Sequence, residues 1–228
     1  PASIDAFVNL RTDAKGIHMS RLYHLIQMRM PNEVLTPKLL KDLHRQFLES
    51  HKGLSDWAEI GVRFSLPIER SSLKSQLGYW RNYPLILRYK GTQKNPLLQL
   101  GLKIKYSSTC PASTALARDL LAEDARQISP ENLKPEALAE WIRKDGPFYT
   151  PHAQRSIAKL LLCLKLETSR KLLTTSIENL INEIESALGT PVQGAVKRVD
   201  EQEFTRMNGQ NLMFCEDAAR KVGRLLKD

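Results

Sequence analysis

The chain has 228 residues, 42% hydrophobic and 26% charged, with 34 Lys and Arg against 25 Asp and Glu for a formal charge of +9. That length allows one large domain or two small ones around a buried core, and the composition is that of a soluble globular protein. No apolar run approaches the ~20 residues that a membrane helix needs, so a membrane partner is not expected.

The opening PASIDAFVNL has neither the charged start nor the apolar stretch of a secretory signal. SIDAFVNLR alternates with a period of two, placing Ile4, Ala6, Val8 and Leu10 on one face, and predicts a strand. In DAKGIHMSRLYH a Lys15-Gly16 turn leads into a helix, with Lys15, His18, Ser20 and Arg21 clustered at its start. Such a cluster is either a polar loop with a helix cap or a cradle for phosphate. LTPKLLKDLHRQFLES predicts a helix with Thr36 as N-cap, Pro37 at the first position and an apolar stripe of Leu39, Leu40, Leu43 and Phe47. EIGVRFSLPI and NYPLILRYKG read as strands, the first pointing Ile60, Val62, Phe64 and Leu66 inward. A seam near Thr92–Pro96 then divides the chain into two αβ halves, 1–93 and 94–228.

LLQLGLKIKY puts Leu98, Leu100, Leu102, Ile104 and Tyr106 on one face of a further strand. Cys110 follows it directly and precedes a helix, ASTALARDLLAEDARQ, for which Ser113 is the expected cap. A thiolate there is stabilised by the unpaired N–H groups of the helix start, although a lone cysteine also packs as a small hydrophobe. Cys163 and Cys215 have only the second reading. Three cysteines without framework spacing argue against a disulfide scaffold and fit a reducing cytosol. In TPHAQRS, His152 stands with Gln154, Arg155 and Ser156. This is either an exposed turn or a metal or substrate site that needs partners elsewhere.

SIAKLLLCLKLE predicts a strand with Ala158, Leu160, Leu162, Leu164 and Leu166 inward. TSIENLINEIESALGTP predicts a helix opened by a Thr175–Glu178 capping box, striped by Ile177, Leu180, Ile181, Ile184 and Leu188, and stopped at Gly189 and Pro191. A strand is expected before VKRVDEQEF, and CEDAARKVGRLLKD reads as a last helix. Glu201 and Glu216 therefore supply carboxylates at element boundaries, either solvated and capping or completing a site with Cys110 and His152. Thiolate and imidazole are ligands that Zn²⁺ favours, and a catalytic metal needs a third protein ligand and an open position for water.

The order of elements is that of an α+β protein whose antiparallel sheet has one covered face. Positive charge is spread along the chain without a long basic run. It suits nucleic acid, a nucleotide polyphosphate or solubility alone, with the spread favouring small anionic ligands. Aromatic residues at 7% are sparse for base-stacking platforms, so nucleic acid is not an expected partner.

Five stretches, VNLRTDAKGIHMSRL, STCPAS, PHAQRS, VKRVDEQEF and NLMFCEDAAR, occur in that order. Together they resemble the type IB GTP cyclohydrolase I family over nearly the whole chain. The resemblance implies two tandem tunnelling-fold modules per subunit, a cytoplasmic homotetramer with active sites at subunit interfaces, and a divalent metal, Zn²⁺ or Mn²⁺. It implies conversion of GTP and water to 7,8-dihydroneopterin triphosphate and formate, at the entry to folate and queuosine biosynthesis. By position, Cys110, His152 and Glu201 match the metal ligands, and Glu216 matches a second active-site glutamate suited to proton transfer. Cys110, His152 and Glu216 are then the catalytic residues. Gln154, Arg155 and Ser156 would fix the His152 ring and the substrate, while Lys15, His18, Ser20 and Arg21 would bind triphosphate or build a neighbouring subunit's pocket. Relatives often carry a second cysteine where Ala112 stands. The competing readings are a related tunnelling-fold enzyme acting on another purine or pterin, and a non-catalytic nucleotide- or RNA-binding protein.

Overall fold

The structure is a computed structural model that describes residues 1–127, 134–144, 146, 148–164 and 170–227. Its elements run β1 (Ser3–Val8), α1 (Met19–Arg29), α2 (Pro37–Ser50), β2 (Trp57–Ser71), β3 (Gly78–Thr92), β4 (Pro96–Thr109), α3 (Pro111–Ala125), α4 (Pro135–Lys144), β5 (Ala153–Leu164), α5 (Arg170–Leu188), α6 (Arg198–Gln210) and α7 (Cys215–Leu225). The strands make one five-stranded sheet in the order β1-β2-β3-β4-β5. The first three pairings are antiparallel.

The period-two alternation becomes an apolar face because the register aligns it across strands. Ile60 lies opposite Tyr89, which lies opposite Leu98; Val62 lies opposite Leu87, which lies opposite Leu100. All six are buried. Phe64 and Leu66, expected inward on the same face, are only half-buried. The expected seam at Thr92–Pro96 is the turn of the β3–β4 hairpin.

The chain divides into two compact units, one of Pro1–Ser71, Gly78–Ile104 and Ile157–Glu183, the other of Ser72–Leu77, Lys105–Ser156 and Ile184–Asp228. In the first, α2 packs on β2 and β3, and α1 packs on α2. Leu39, Leu40, Leu43 and Phe47 are all buried, as their spacing requires. Thr36 adopts extended backbone and its hydroxyl accepts the Leu39 N–H at 3.1 Å, so the predicted cap is present. Thr36→Ala is expected to destabilise this unit by about 1 kcal/mol, measured as a lower denaturant midpoint at unchanged slope.

His44, buried on α2, donates from Nε2 to the Gly91 carbonyl at 2.9 Å and meets Tyr89 edge-on at 5.0 Å. Burial pushes its pKa below the ordinary 6.5, against a smaller upward pull from its backbone hydrogen bonds. The unfolded chain therefore takes up a proton near pH 6.5 that the folded chain refuses until lower pH. Stability from this group is complete above about pH 6.5 and is lost as pH falls below it. Melting followed from pH 7.5 to 5 should show that acid-side decline, and His44→Gln should flatten it; identical profiles would refute the assignment.

The second unit is built round the C-terminal end of β4. The Ser107 amide donates to the Thr190 carbonyl at 2.8 Å, and the Thr190 hydroxyl returns a bond to the Ser107 carbonyl at 2.6 Å. The Thr190 segment follows α5, whose Ile177, Ile181, Ile184 and Leu188 are buried as predicted. Gly189, at φ +80°, ends that helix in a conformation a side chain would strain. The start differs: α5 begins at Arg170, so Thr175 stands inside the helix rather than at its N-terminus. The strand expected before VDEQEF is absent among the described residues. Pro191 makes an isolated bridge to Tyr106, and the segment from Arg198 is the helix α6. The helix α4 was not foreseen; it buries none of its residues. Leu166, expected to point inward, lies outside the described residues.

Candidate functional site

Where β4 ends, the chain turns directly into α3. Cys110 itself is the N-cap, with Pro111 at the first helical position, so the expected cap, Ser113, sits inside the first turn. The Ser113 backbone amide, with help from its hydroxyl and the Ala112 amide, holds the half-buried Cys110 thiol below its ordinary pKa against a smaller push from desolvation. This favours the thiolate, the form that binds metals and attacks electrophiles.

After α3 and α4 the chain returns to His152, immediately before β5. The Cys110 amide donates to the His152 carbonyl at 2.9 Å, and the His152 amide donates to the Ser113 hydroxyl at 2.8 Å. Four residues on, Ser156 and Ser108 share a hydrogen bond at 3.1 Å. The tertiary structure thus brings together the cysteine and histidine that the sequence singled out. His152, Gln154 and Arg155 are exposed, and Ser156 is half-buried.

The start of α7 reaches the same strand end. Leu212 forms a parallel bridge with Thr109, and the Met213 amide donates to the Thr109 carbonyl at 3.0 Å, three residues before Glu216. Glu216 is exposed in the first turn of α7. Its own backbone amide and the Cys215 thiol, which donates at 3.3 Å, hold its carboxyl below the usual range, so it is a carboxylate and a proton acceptor at neutral pH. Cys163 and Cys215, expected to be buried, are both exposed.

Glu201 is exposed in the first turn of α6. Its neighbour Asp200, which sequence reasoning passed over, is the fully buried anchor of that helix. The Asp200 carboxylate accepts the Lys74 amide at 2.7 Å, the Ser75 amide at 2.9 Å, the Ser75 hydroxyl at 2.5 Å and the Lys197 amide at 2.8 Å. Burial alone would raise its pKa, but the bonds from Ser75, Lys197 and Lys74 together outweigh it and keep the group ionised. The available signal was an acid three residues after the start of a helix. It is invisible while the segment is read only as the stretch that follows a strand.

Lys15, His18, Ser20 and Arg21 are exposed and belong to the first unit. His18 is the N-cap residue of α1 without a side-chain cap bond. The Arg21 guanidinium donates to the Ser50 carbonyl, tying α1 to the end of α2. Among the described residues no group of three or more His, Cys, Asp and Glu side chains is placed to hold a metal ion. What this chain assembles is the Cys110–His152 pair with the α7 start beside it. No described helix is long and apolar enough to cross a membrane.

Curated relatives match almost the full chain. It is 46% identical to a GTP cyclohydrolase FolE2 of Pseudoalteromonas translucida, covering 99% of this chain and 74% of that one. It is 42% identical to a FolE2 of Hydrogenovibrio crunogenus, covering 97% and 70%, and 40% identical to a FolE2 of Pseudomonas syringae, covering 98% and 76%. The family model described as type I GTP cyclohydrolase folE2 matches residues 1–228, and the chain belongs to that family.

Proposed function

We propose that the chain is a GTP cyclohydrolase, converting GTP and water to 7,8-dihydroneopterin triphosphate and formate in folate biosynthesis, with queuosine biosynthesis as a second outlet for the product. The observation that carries this reading is the pinning of His152 beside Cys110 at the end of β4, within a chain of the FolE2 family.

The donor set fits a divalent cation, Zn²⁺ or Mn²⁺. Cys110 is biased toward thiolate by the α3 amides, and the imidazole of His152 stands on the residue bonded to it. Cys110 and His152 would hold the metal, with Glu201 as the carboxylate ligand. A divalent metal held there would supply Lewis-acid activation of water near neutral pH. Glu216, ionised at neutral pH, would take up the proton that the attacking water gives up and return it to the nitrogen that leaves as the ring opens. Gln154, Arg155 and Ser156, at the start of β5, orient the substrate against His152. Lys15, His18, Ser20 and Arg21 would bind triphosphate or build a neighbouring subunit's pocket.

The same reading carries two tunnelling-fold modules, residues 1–93 and 94–228, meeting at the β3–β4 hairpin, and a homotetramer with interface active sites. The two end strands support it: Ile4, Ala6 and Val8 on β1 and Ala158, Leu160, Leu162 and Leu164 on β5 are only half-buried, as strands that gain cover in an assembly are. Reduced cysteines at three positions agree with a cytoplasmic protein.

The test is GTP turnover by metal-stripped protein with Zn²⁺ or Mn²⁺ restored, following formate and dihydroneopterin triphosphate, with mass measured alongside by sedimentation. Metal-dependent product is expected. Absence of product from metal-loaded, assembled protein overturns the reading.

A further inference from the structure

We propose that Ser113 is a positioning residue that sets the Cys110 thiolate and the His152 imidazole in register by fixing the His152 backbone from the α3 side. The inference rests on the reading of those two residues as metal ligands. Its basis is geometric. His152 has one backbone donor and one backbone acceptor, and both are committed to the same turn: its carbonyl accepts the Cys110 amide at 2.9 Å, and its amide donates to the Ser113 hydroxyl at 2.8 Å. The Ser113 hydroxyl in turn donates to the Cys110 carbonyl at 3.3 Å. A closed ring therefore links the backbones of Cys110, Ser113 and His152.

The ring matters because chain connectivity does not hold the pair. Ser113 and His152 lie 39 residues apart, and α3 and α4, which fill most of that interval, bury only Thr114. With few buried contacts of their own, these two helices do not fix where the chain returns. A metal site tolerates errors of about 0.2 Å in ligand placement, so the return must be held by directed bonds. The Ser113 hydroxyl supplies both side-chain bonds in that ring, accepting the His152 amide and donating to the Cys110 carbonyl. Thr114 does not duplicate it: its hydroxyl and amide reach the Cys110 carbonyl, at 2.9 and 3.0 Å, while the His152 amide is taken by the Ser113 hydroxyl.

The experiment uses the full chain as wild type, Ser113→Ala, Ser113→Thr and Cys110→Ala, each stripped of metal. Co²⁺ is titrated in, reading the thiolate-to-cobalt charge-transfer band, and Zn²⁺ affinity is measured by chelator competition. Wild type should show the band and Cys110→Ala should lack it. Ser113→Ala should bind Zn²⁺ about 10- to 100-fold more weakly, with a weakened band, as loss of a group supporting a metal ligand does. Ser113→Thr, which keeps the hydroxyl, should return both toward wild type. A helix-stabilising role alone would lower the melting temperature and leave band and affinity unmoved. Wild-type affinity and band in Ser113→Ala overturn the inference, as does a Thr variant no better than Ala. A band that survives in Cys110→Ala, or is missing from wild type, overturns the metal reading itself and the inference with it. Should Ser113→Ala not fold, hydrogen exchange at the His152 amide of metal-free wild type decides: slow exchange is expected, and exchange at the rate of an open loop overturns the proposal.

Discussion

Cys110→Ala is expected to abolish metal retention and to lower GTP turnover by at least about 10³-fold, since the metal's share of transition-state stabilisation is several kcal/mol. The fold should survive the change. Backbone hydrogen bonds hold Cys110 in the second unit: its amide to the His152 carbonyl, and its own carbonyl accepting from the Ser113 hydroxyl and from Thr114. Alanine gives up the contacts of the thiol with the Ser113 and Ala112 amides but keeps those backbone bonds and Pro111 at the first helical position, so α3 still starts there. His152→Ala should behave alike, because the bonds that pin His152 are also those of its backbone. Far-ultraviolet dichroism and melting separate folding from chemistry, and metal content by mass spectrometry separates binding from turnover. Either variant retaining its metal and wild-type turnover would sink the assignment.

Asp200→Ala should give the largest loss of stability among the changes considered. It removes the acceptor for three backbone amides, those of Lys74, Ser75 and Lys197, and for the Ser75 hydroxyl. Amides left unpaired in a buried place cost far more than the net worth of the bonds they had made. At about 2–4 °C per kcal/mol for a chain of this size, a loss of about 3 kcal/mol or more lowers the melting temperature by at least roughly 6–12 °C. Asp200→Asn keeps one carbonyl oxygen and should fall between. Because Glu201 is the next residue in the same helical turn, turnover and metal affinity should decline together with stability. An unchanged melting temperature in Asp200→Ala would show that the Ser72–Leu77 loop is held by other contacts, such as the Ser72 hydroxyl, which accepts the Leu77 amide at 2.8 Å.

Elements were legible in the sequence where burial is one-sided and regular. β4 and α2 keep strict periods of two and 3.6 because one face of each meets the core, and both lie where their patterns place them. α6 went unrecognised because no apolar stripe marks it: its only buried residue is Asp200, and the helix is held by a carboxylate bonded to a distant loop. α4 escaped for a similar reason, lying outside the core altogether. The start of α5 was misplaced because Thr175 and Glu178 match a capping box by spacing alone, while the helix runs on to Arg170.

By itself the sequence determined which strands and helices carry the core, and its motifs marked Cys110 and His152 as candidate metal ligands. The first follows from periodicity along the chain, the second from the resemblance of the stretches STCPAS and PHAQRS to a family's motifs. Only the tertiary structure decided that the two stand together, that Ser113 joins them, and that Met213 brings Glu216 to the same strand end. Those pairings link residues whose spacing along the chain carries no signal. They exist because burying the face of β4 leaves its end facing α3, β5 and the approach to α7, where the remaining backbone amides and carbonyls had to find partners.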